Sequence, residues 1–258
     1  MIDLHTHILP GLDDGAESLE VALEMARVAW EDGVTVICAT PHSSQLPVES
    51  RREGVCTRLR RVEECLARER IDLSLVPGIE NAMALELPRQ LEGGQSLRLG
   101  NSPYLLVELP IQQYLLYTED VLFELQLKGF CPIIAHPERN HAFQEDASLL
   151  CRLVERGILA QVTAASLLGG FGGRIKEVAE HFVQRNLVQI IASDAHTVSG
   201  LRSPILSTGV AAAARLVGRE KALAMVITTP RDILDGRPID VEPPISGAPR
   251  KGWLFWRR

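Results

Sequence analysis

The sequence predicts an α/β fold in which a parallel barrel of about seven strands alternates with helices. Seven short apolar runs lack the alternation of a half-exposed strand, and such runs are typical of strands buried on both faces. They are MIDLH, VTVICAT, LSLVPGIE, PYLLVEL, CPIIAH, ILAQVTA and VQIIASD. Amphipathic stretches separate most of them, and this order predicts βαβ units with right-handed crossovers. An open doubly wound sheet is the competing architecture.

Helices are predicted wherever an amphipathic stretch of sufficient length lies between two of these runs. The stretches are 17–31, 50–70, 115–128, 146–156 and 173–186. Glycine ends three helical segments directly before the next strand, in EDGVTV, LKGFCP and ERGILA. The region 203–235 is also predicted to be helical. We expect one domain over 1–238 and a tail over 239–258, because proline and glycine become frequent after Pro238.

The bulk composition excludes several classes of protein. The chain has 258 residues and a formal net charge of -6, which argues against a nucleic-acid partner. Neither a targeting segment nor an apolar run of about 18 residues is visible. The five cysteines have no CxxC spacing, so we expect reduced thiols in a cytoplasmic protein. None of them is followed six positions later by arginine, which excludes a cysteine-dependent tyrosine phosphatase.

Side chains that ligate metals stand where the predicted strands end. They are His5, His7, His42, Glu80, Glu108, His136, Asp194 and His196, with Asp14 in the loop after the first strand. The carboxyl ends of the strands in a parallel barrel open on one face, so these side chains are expected to converge there. Imidazole with carboxylate suits zinc, manganese or iron, and the number of ligands predicts two or three ions.

Each of these residues also has an ordinary structural interpretation. A single histidine beside an apolar run is more often a core or surface residue than a ligand. A buried carboxylate such as Glu108 is harder to explain without a partner, because an unpaired buried charge is costly. We expect His181 to be structural, His141 to be at most a neighbour of the site, and Asp13 to shape its loop.

The motifs resemble those of the PHP (polymerase and histidinol phosphatase) superfamily, above all the bacterial manganese-dependent tyrosine phosphatases encoded with capsular and exopolysaccharide genes. The resemblance is carried by DLHTHILPGLDDG at the start, TPH at 40–42, GIE at 78–80, VEL at 107–109, AHPER at 135–139 and SDAH at 193–196. It runs from residue 1 to about 235. The resemblance implies a distorted (β/α)7 barrel of the TIM-like PHP type.

The resemblance also implies a site of three divalent or trivalent metal ions, with manganese favoured and iron or zinc as alternatives. One ion would be held by His5, His7, Glu80 and Asp194, a second by Glu80, Glu108 and His136, and a third by Asp14, His42 and His196. Arg139 matches a catalytic, phosphate-binding arginine of the family. Arg202 matches a second one, although its loop is one residue longer than the family pattern.

These implied features predict a phosphotyrosine-protein phosphatase in which a metal-bridging hydroxide attacks phosphorus. The expected partner is a phosphotyrosine-bearing bacterial tyrosine autokinase of polysaccharide biosynthesis. A small-molecule phosphatase, such as histidinol phosphatase, and a non-catalytic metal-stabilised scaffold are the alternatives. Residues 247–258 combine basic and aromatic side chains, which favours a peripheral membrane contact over an unstructured or packed end.

Overall fold

Parallel strands and helices alternate along the chain in a computed structural model that describes residues 1–245. The described residues form eight strands: β1 Ile2–Thr6, β2 Val36–Ala39, β3 Ser74–Pro77, β4 Glu80–Ala82, β5 Tyr104–Glu108, β6 Cys131–Ala135, β7 Leu159–Thr163 and β8 Ile190–Ala192. All strand pairs are parallel, in the orders β1-β2-β3 and β4-β5-β6-β7-β8. The predicted α/β class is confirmed.

Two isolated parallel bridges join these sheets into a barrel. Thr6 pairs with Ala195, just beyond β8, and His42 pairs with Glu80 at the start of β4. The third predicted strand, 73–80, is therefore divided into β3 and β4. The division falls at Gly78, where a Cβ atom would lie only 3.0 Å from Thr40 Cγ2. The chain changes partners at this crowded point, pairing first with β2 and then with β5.

The helices cover the outside of the strands. They are α1 Leu19–Glu31, α2 Arg51–Glu69, α3 Leu87–Glu92, α4 Thr118–Leu127, α5 His141–Glu145, α6 Ala147–Glu155, α7 Ala164–Leu167, α8 Gly173–Gln184, α9 Ser207–Val217, α10 Arg219–Ala224 and α11 Thr228–Leu234. The five predicted stretches correspond to α1, α2, α4, α6 and α8. The region 203–235 contains α9, α10 and α11, and the short helices α3, α5 and α7 were not predicted.

Local sequence explains where the helices begin. The Ser18 side chain accepts a hydrogen bond from Val21 N at the start of α1, and Asp146 accepts one from Ser148 N at the start of α6. These caps are not the main source of stability. Both helices also bury an apolar face against the strands, and such packing stabilises a helix more than its cap does. None of the helices within residues 1–245 is long and apolar enough to cross a membrane.

Two apolar clusters stabilise the barrel. The larger one lies between the strands and helices, and Met25, Phe143 and Phe182 are among its fully buried members. The smaller one draws residues from six strands, which can meet only inside the barrel: Ile2, Leu4, Cys38, Tyr104, Leu106, Ile133, Leu159 and Ile190. Ile239 and Val241, from the described part of the predicted tail, pack against this inner cluster. Apolar side chains fill the interior of the barrel, so the ligand-type polar side chains lie at the carboxyl ends of the strands.

Within the predicted tail, residues 239–245 lie along the barrel. Glu242 accepts hydrogen bonds from Asn186 Nδ2 at 3.2 Å and Lys221 Nζ at 2.5 Å. The backbone N–H of Ile245 donates to the Arg185 carbonyl at 3.1 Å. The basic and aromatic residues 247–258, for which a membrane contact is predicted, lie outside the described residues, so that contact stays a prediction.

Candidate metal centre

Four predicted ligands meet where β1, β4 and β8 come together. The Nε2 atoms of His5 and His7 are 3.1 Å apart. Glu80 Oε2 lies 3.3 Å from the first of these nitrogens and 3.4 Å from the second. Asp194 Oδ1 lies 3.4 Å and 3.3 Å from the same two atoms. All four side chains are at most 1% exposed, so two imidazoles and two carboxylates surround one small buried space.

The orientation of the two histidines fits a cation in that space. His5 Nδ1 lies 2.9 Å from Gln161 Oε1, and His7 Nδ1 lies 2.7 Å from Asp13 Oδ2. In the neutral tautomer that can bind a metal ion, each Nδ1 would donate its proton to that acceptor, and the two Nε2 lone pairs would face each other. Asp194 Oδ1 accepts no hydrogen bond from the described residues. Lone pairs directed at one point and a buried, unpartnered carboxylate oxygen are what a metal ion would satisfy.

A second group of donors forms on the other side of Glu80. His136 Nε2 is 2.9 Å from Glu80 Oε1 and 3.8 Å from Glu108 Oε1. His42 Nδ1 is 2.7 Å from Glu80 Oε2 and 3.7 Å from Glu108 Oε2. Glu80 therefore stands between two donor groups, as a bridging carboxylate would. Donor atoms of His42, Glu80 and Glu108 lie within 4.8 Å of one another, so His42 also approaches the two carboxylates that were expected to bind an ion together with His136.

The third group is formed by the loops that follow β1, β2 and β8. Asp14 Oδ1 lies 3.4 Å from His42 Nε2 and 3.5 Å from His196 Nε2. The Nδ1 atom of His196 lies 3.0 Å from its acceptor, the Asp194 carbonyl, so Nε2 is the ring nitrogen that faces the cluster. Donor atoms of His7, Asp14, His42 and His196 lie within 4.8 Å of one another. All nine predicted ligands therefore lie in one continuous cluster.

Both predicted arginines reach this cluster. Arg139 Nη1 donates to Asp194 Oδ2 at 2.5 Å. Arg202 Nη2 lies 2.6 Å from His196 Nε2, and its Nη1 lies 3.5 Å from Asp14 Oδ2. The Arg202 carbonyl accepts the backbone N–H groups of His196 and Thr197, which closes the 196–202 loop and returns Arg202 to the site. Two guanidinium groups thus border the metal ligands.

The electrostatics of the cluster set ionised carboxylates beside histidines that favour protonation. Burial opposes protonation of His5 and His7, but neighbouring carboxylates raise the pKa of both. Burial opposes ionisation of Glu80 and Asp194, but neighbouring histidines, His5 foremost, hold the pKa of each carboxyl well below its usual range. Burial and the charge on Glu80 raise the pKa of Glu108. Burial, together with the charge on His7, lowers the pKa of His196 to about 3, so its imidazole is neutral. Metal ligation requires a neutral imidazole and an ionised carboxylate.

Asp13, expected only to shape its loop, also positions two ligands. Besides its bond to His7, Asp13 Oδ2 accepts the backbone N–H of His42 at 2.9 Å, and Oδ1 accepts that of Gly15 at 3.0 Å. Burial opposes its ionisation, but His7 and these bonds lower the pKa of Asp13 to about 2. The sequence shows that Asp13 is adjacent to Asp14, but the direction of the Asp13 side chain towards His7 depends on the conformation of the turn.

Three further features around the site were not predicted. Gln161 on β7 orients His5. Glu138 turns away from the metal ligands and accepts the backbone N–H of Thr163 at 2.9 Å and the hydroxyl of Ser166 at 2.7 Å. His136 and Asp194 have left-handed backbones, with φ of 34° and 52°. Such conformations are unfavourable for residues other than glycine and are held where they direct a functional side chain.

A parallel barrel whose strand ends carry buried imidazoles, carboxylates and two arginines defines a metal-dependent hydrolase for a phosphorylated substrate. The family model described as "Capsular polysaccharide synthesis, CpsB/CapC" matches residues 1–235. The chain belongs to this CpsB/CapC family, and the relationship expected from the sequence motifs is confirmed.

Similar proteins agree with this assignment. The tyrosine-protein phosphatase YwqE of Bacillus subtilis is 40% identical over 198 residues, which cover 77% of this chain and 78% of YwqE. The tyrosine-protein phosphatase CpsB of Streptococcus pneumoniae is 28% identical over 239 residues, or 91% of this chain and 98% of CpsB. A solved structure from a study of these two unique metal-dependent tyrosine phosphatases matches with a TM-score of 0.91 and 35% identity. The match covers 96% of this chain and 100% of that one. The predicted enzyme class, tyrosine-protein phosphatase, is confirmed at the level of the family.

Proposed function

We propose that this chain is a metal-dependent phosphotyrosine-protein phosphatase that acts on a bacterial tyrosine autokinase of polysaccharide biosynthesis. The observation that carries the proposal is the convergence of the nine ligand side chains with Arg139 and Arg202 on one face. Its family membership in capsular polysaccharide synthesis supports the choice of a kinase from that process. Because guanidinium groups border the cluster, the substrate is expected to be an anion.

The described residues would divide the work between holding metal ions and holding phosphate. Three metal ions, manganese first and iron or zinc as alternatives, would be held by the three donor groups that share His7, His42 and Glu80. When bound, such ions lower the pKa of a water that attacks phosphorus and neutralise charge on the phosphoryl oxygens. The unpartnered Asp194 Oδ1 and the opposed nitrogens of His5 and His7 are the features that fit them.

Arg139 and Arg202 would bind the non-bridging phosphoryl oxygens, since a guanidinium donates two parallel hydrogen bonds to such a group. Asp194 anchors Arg139 from the protein side and leaves its remaining N–H groups for substrate. A tyrosine leaving group has a pKa of about 10 and needs less proton assistance than an alkyl alcohol, so no general acid is required of the site.

The setting of the reaction is also part of the proposal. A cytoplasmic location is supported by the five cysteines, all of which are free thiols, with Cys38 buried in the barrel. The phosphorylated partner is a protein tail rather than a nucleic acid, in keeping with the net charge of -6. Residues 247–258 would add a peripheral membrane contact.

Hydrolysis of a phosphotyrosine peptide and of histidinol phosphate by one manganese-loaded preparation tests the proposal. We expect the peptide to give the higher kcat/KM. A preference for histidinol phosphate would support the small-molecule alternative. Bound metal without hydrolysis of either compound would instead indicate a metal-stabilised scaffold.

A further inference from the structure

The aromatic ring of Phe171 lies against Arg139 and has no part in metal binding. The Arg139 Cζ atom is 4.9 Å from the centroid of the ring. The same guanidinium donates from its edge to Asp194, so it has a carboxylate at one edge and an aromatic ring on one face. Phe171 is only partly buried, which leaves part of its ring accessible beside the arginine.

Packing between two loops holds the turn that carries Phe171. The turn from 168 to 173 reads LGGFGG, and Gly169 and Gly172 have left-handed φ values of 83° and 99°. A Cβ atom at Gly170 would collide with the Leu201 side chain, so glycine allows Leu201 to pack directly on this turn. Leu201 precedes Arg202 and is 44% exposed. The turn carrying Phe171 is therefore joined to the loop carrying the second arginine.

We propose that Phe171, with Leu201 packed on the same turn, forms the wall against which the phenyl ring of phosphotyrosine packs. This inference rests on the proposed function and specifies how the site selects an aryl phosphate. The phenyl ring is separated from phosphorus by a single oxygen, so a phosphate held by Arg139 places the ring next to the aromatic side chain on that arginine. Aromatic pairs interact at centroid distances of about 4.5–7 Å, and an alkyl phosphate offers no such ring.

The test separates contact with the ring from support of Arg139. Wild type, Phe171→Leu and Phe171→Tyr are compared in the manganese-loaded full-length chain. The measurements are kcat/KM for phenyl phosphate and inhibition constants for phenylphosphonate and methylphosphonate, two stable anions that differ in the ring. Phe123→Leu is the matched control, because Phe123 is 58% exposed on α4 and lies outside the site.

For Phe171→Leu we expect kcat/KM for phenyl phosphate to fall, and the inhibition constant of phenylphosphonate to rise, by about 2- to 10-fold. The inhibition constant of methylphosphonate should change less than twofold, since Asp194 still holds Arg139. Phe171→Tyr should retain the wild-type preference, and Phe123→Leu should leave all three values unchanged.

Two results would overturn the inference alone. Equal weakening of both phosphonates would show that Phe171 only supports Arg139, and unchanged values for all three compounds would show that no ring contact exists. A metal-loaded wild-type enzyme that hydrolyses neither phenyl phosphate nor a phosphotyrosine peptide would overturn the proposed function and this inference together.

Discussion

Removal of the Asp13 carboxylate should weaken metal binding although Asp13 is not itself a predicted ligand. Its 2.7 Å bond to His7 Nδ1 fixes the tautomer that turns His7 Nε2 towards Glu80 and Asp194. The side chain is fully covered, so water cannot replace the lost acceptor without rearrangement. In Asp13→Ala, His7 is free to rotate, and His42 loses the carboxylate that holds its backbone N–H.

The size of the effect follows from the bond that is lost. A hydrogen bond to a charged group is worth about 1.5–3 kcal/mol. Loss of that energy from the metal-loaded state alone corresponds to about a 10- to 100-fold weaker manganese affinity, which is also the usual effect of removing a partner that orients a metal ligand. Asp13→Asn keeps an oxygen acceptor but loses the charge, so its affinity should fall between those of the wild type and Asp13→Ala.

Manganese titration of the metal-stripped proteins, followed by calorimetry and by recovery of phosphatase activity, measures this affinity. Asp32→Ala is the matched control, because Asp32 also accepts two backbone N–H groups, from Leu206 at 2.8 Å and Ser207 at 2.9 Å, but lies at the end of α1 rather than among the predicted ligands. The control should lower the free energy of unfolding and leave the metal affinity unchanged. Suppose that Asp13→Ala is destabilised as much as Asp32→Ala but binds manganese as tightly as the wild type. Asp13 would then have a structural role only.

Three further changes probe other parts of the molecule. Arg139→Lys should raise the inhibition constant of inorganic phosphate by about 10-fold or more, because it loses the guanidinium fork, and an unchanged constant would remove Arg139 from the phosphate site. Glu138→Ala should lower the free energy of unfolding by about 1–3 kcal/mol, measured in urea, because Thr163 N and Ser166 Oγ lose their buried acceptor; wild-type stability would contradict this. Burial first, and Arg185 second, lower the pKa of His181, so protonation of this side chain favours the unfolded chain. The free energy of unfolding is therefore unaffected by His181 above about pH 6.5 and is reduced by it as the pH falls below that value. The stability of His181→Gln should accordingly depend less steeply on pH between 7 and 5, and a slope identical to that of the wild type would refute the assignment.

Much of the architecture could be predicted because buried parallel strands have a distinctive composition. Runs such as CPIIAH and VQIIASD lie in β6 and β8, and the ligand-type residues that follow them lie on one face. The spacing of two between His5 and His7, and between Asp194 and His196, was enough to associate them with strand ends. The division of the third strand was not predictable, because it falls at Gly78, whose crowding by Thr40 and Leu99 is visible only in three dimensions.

The parts of the site that were missed depend on the direction of the backbone rather than on residue type. Asp14 was expected to face His42 and His196 and does so, whereas the support that its chemically identical neighbour Asp13 gives to His7 depends on the turn. The left-handed backbones of His136 and Asp194 leave no mark on the local sequence. Phe171 lies in a glycine-rich turn without periodicity, so its contact with Arg139 could be seen only in three dimensions.

The central claim is that buried imidazoles and carboxylates form a multinuclear metal centre that hydrolyses phosphotyrosine. Its most direct test is metal analysis and a phosphotyrosine-peptide assay on one preparation, before and after chelation and again after manganese is restored. We expect three ions per chain, loss of activity on chelation, and recovery in proportion to bound manganese. Full activity in a preparation shown to be free of metal would contradict the claim.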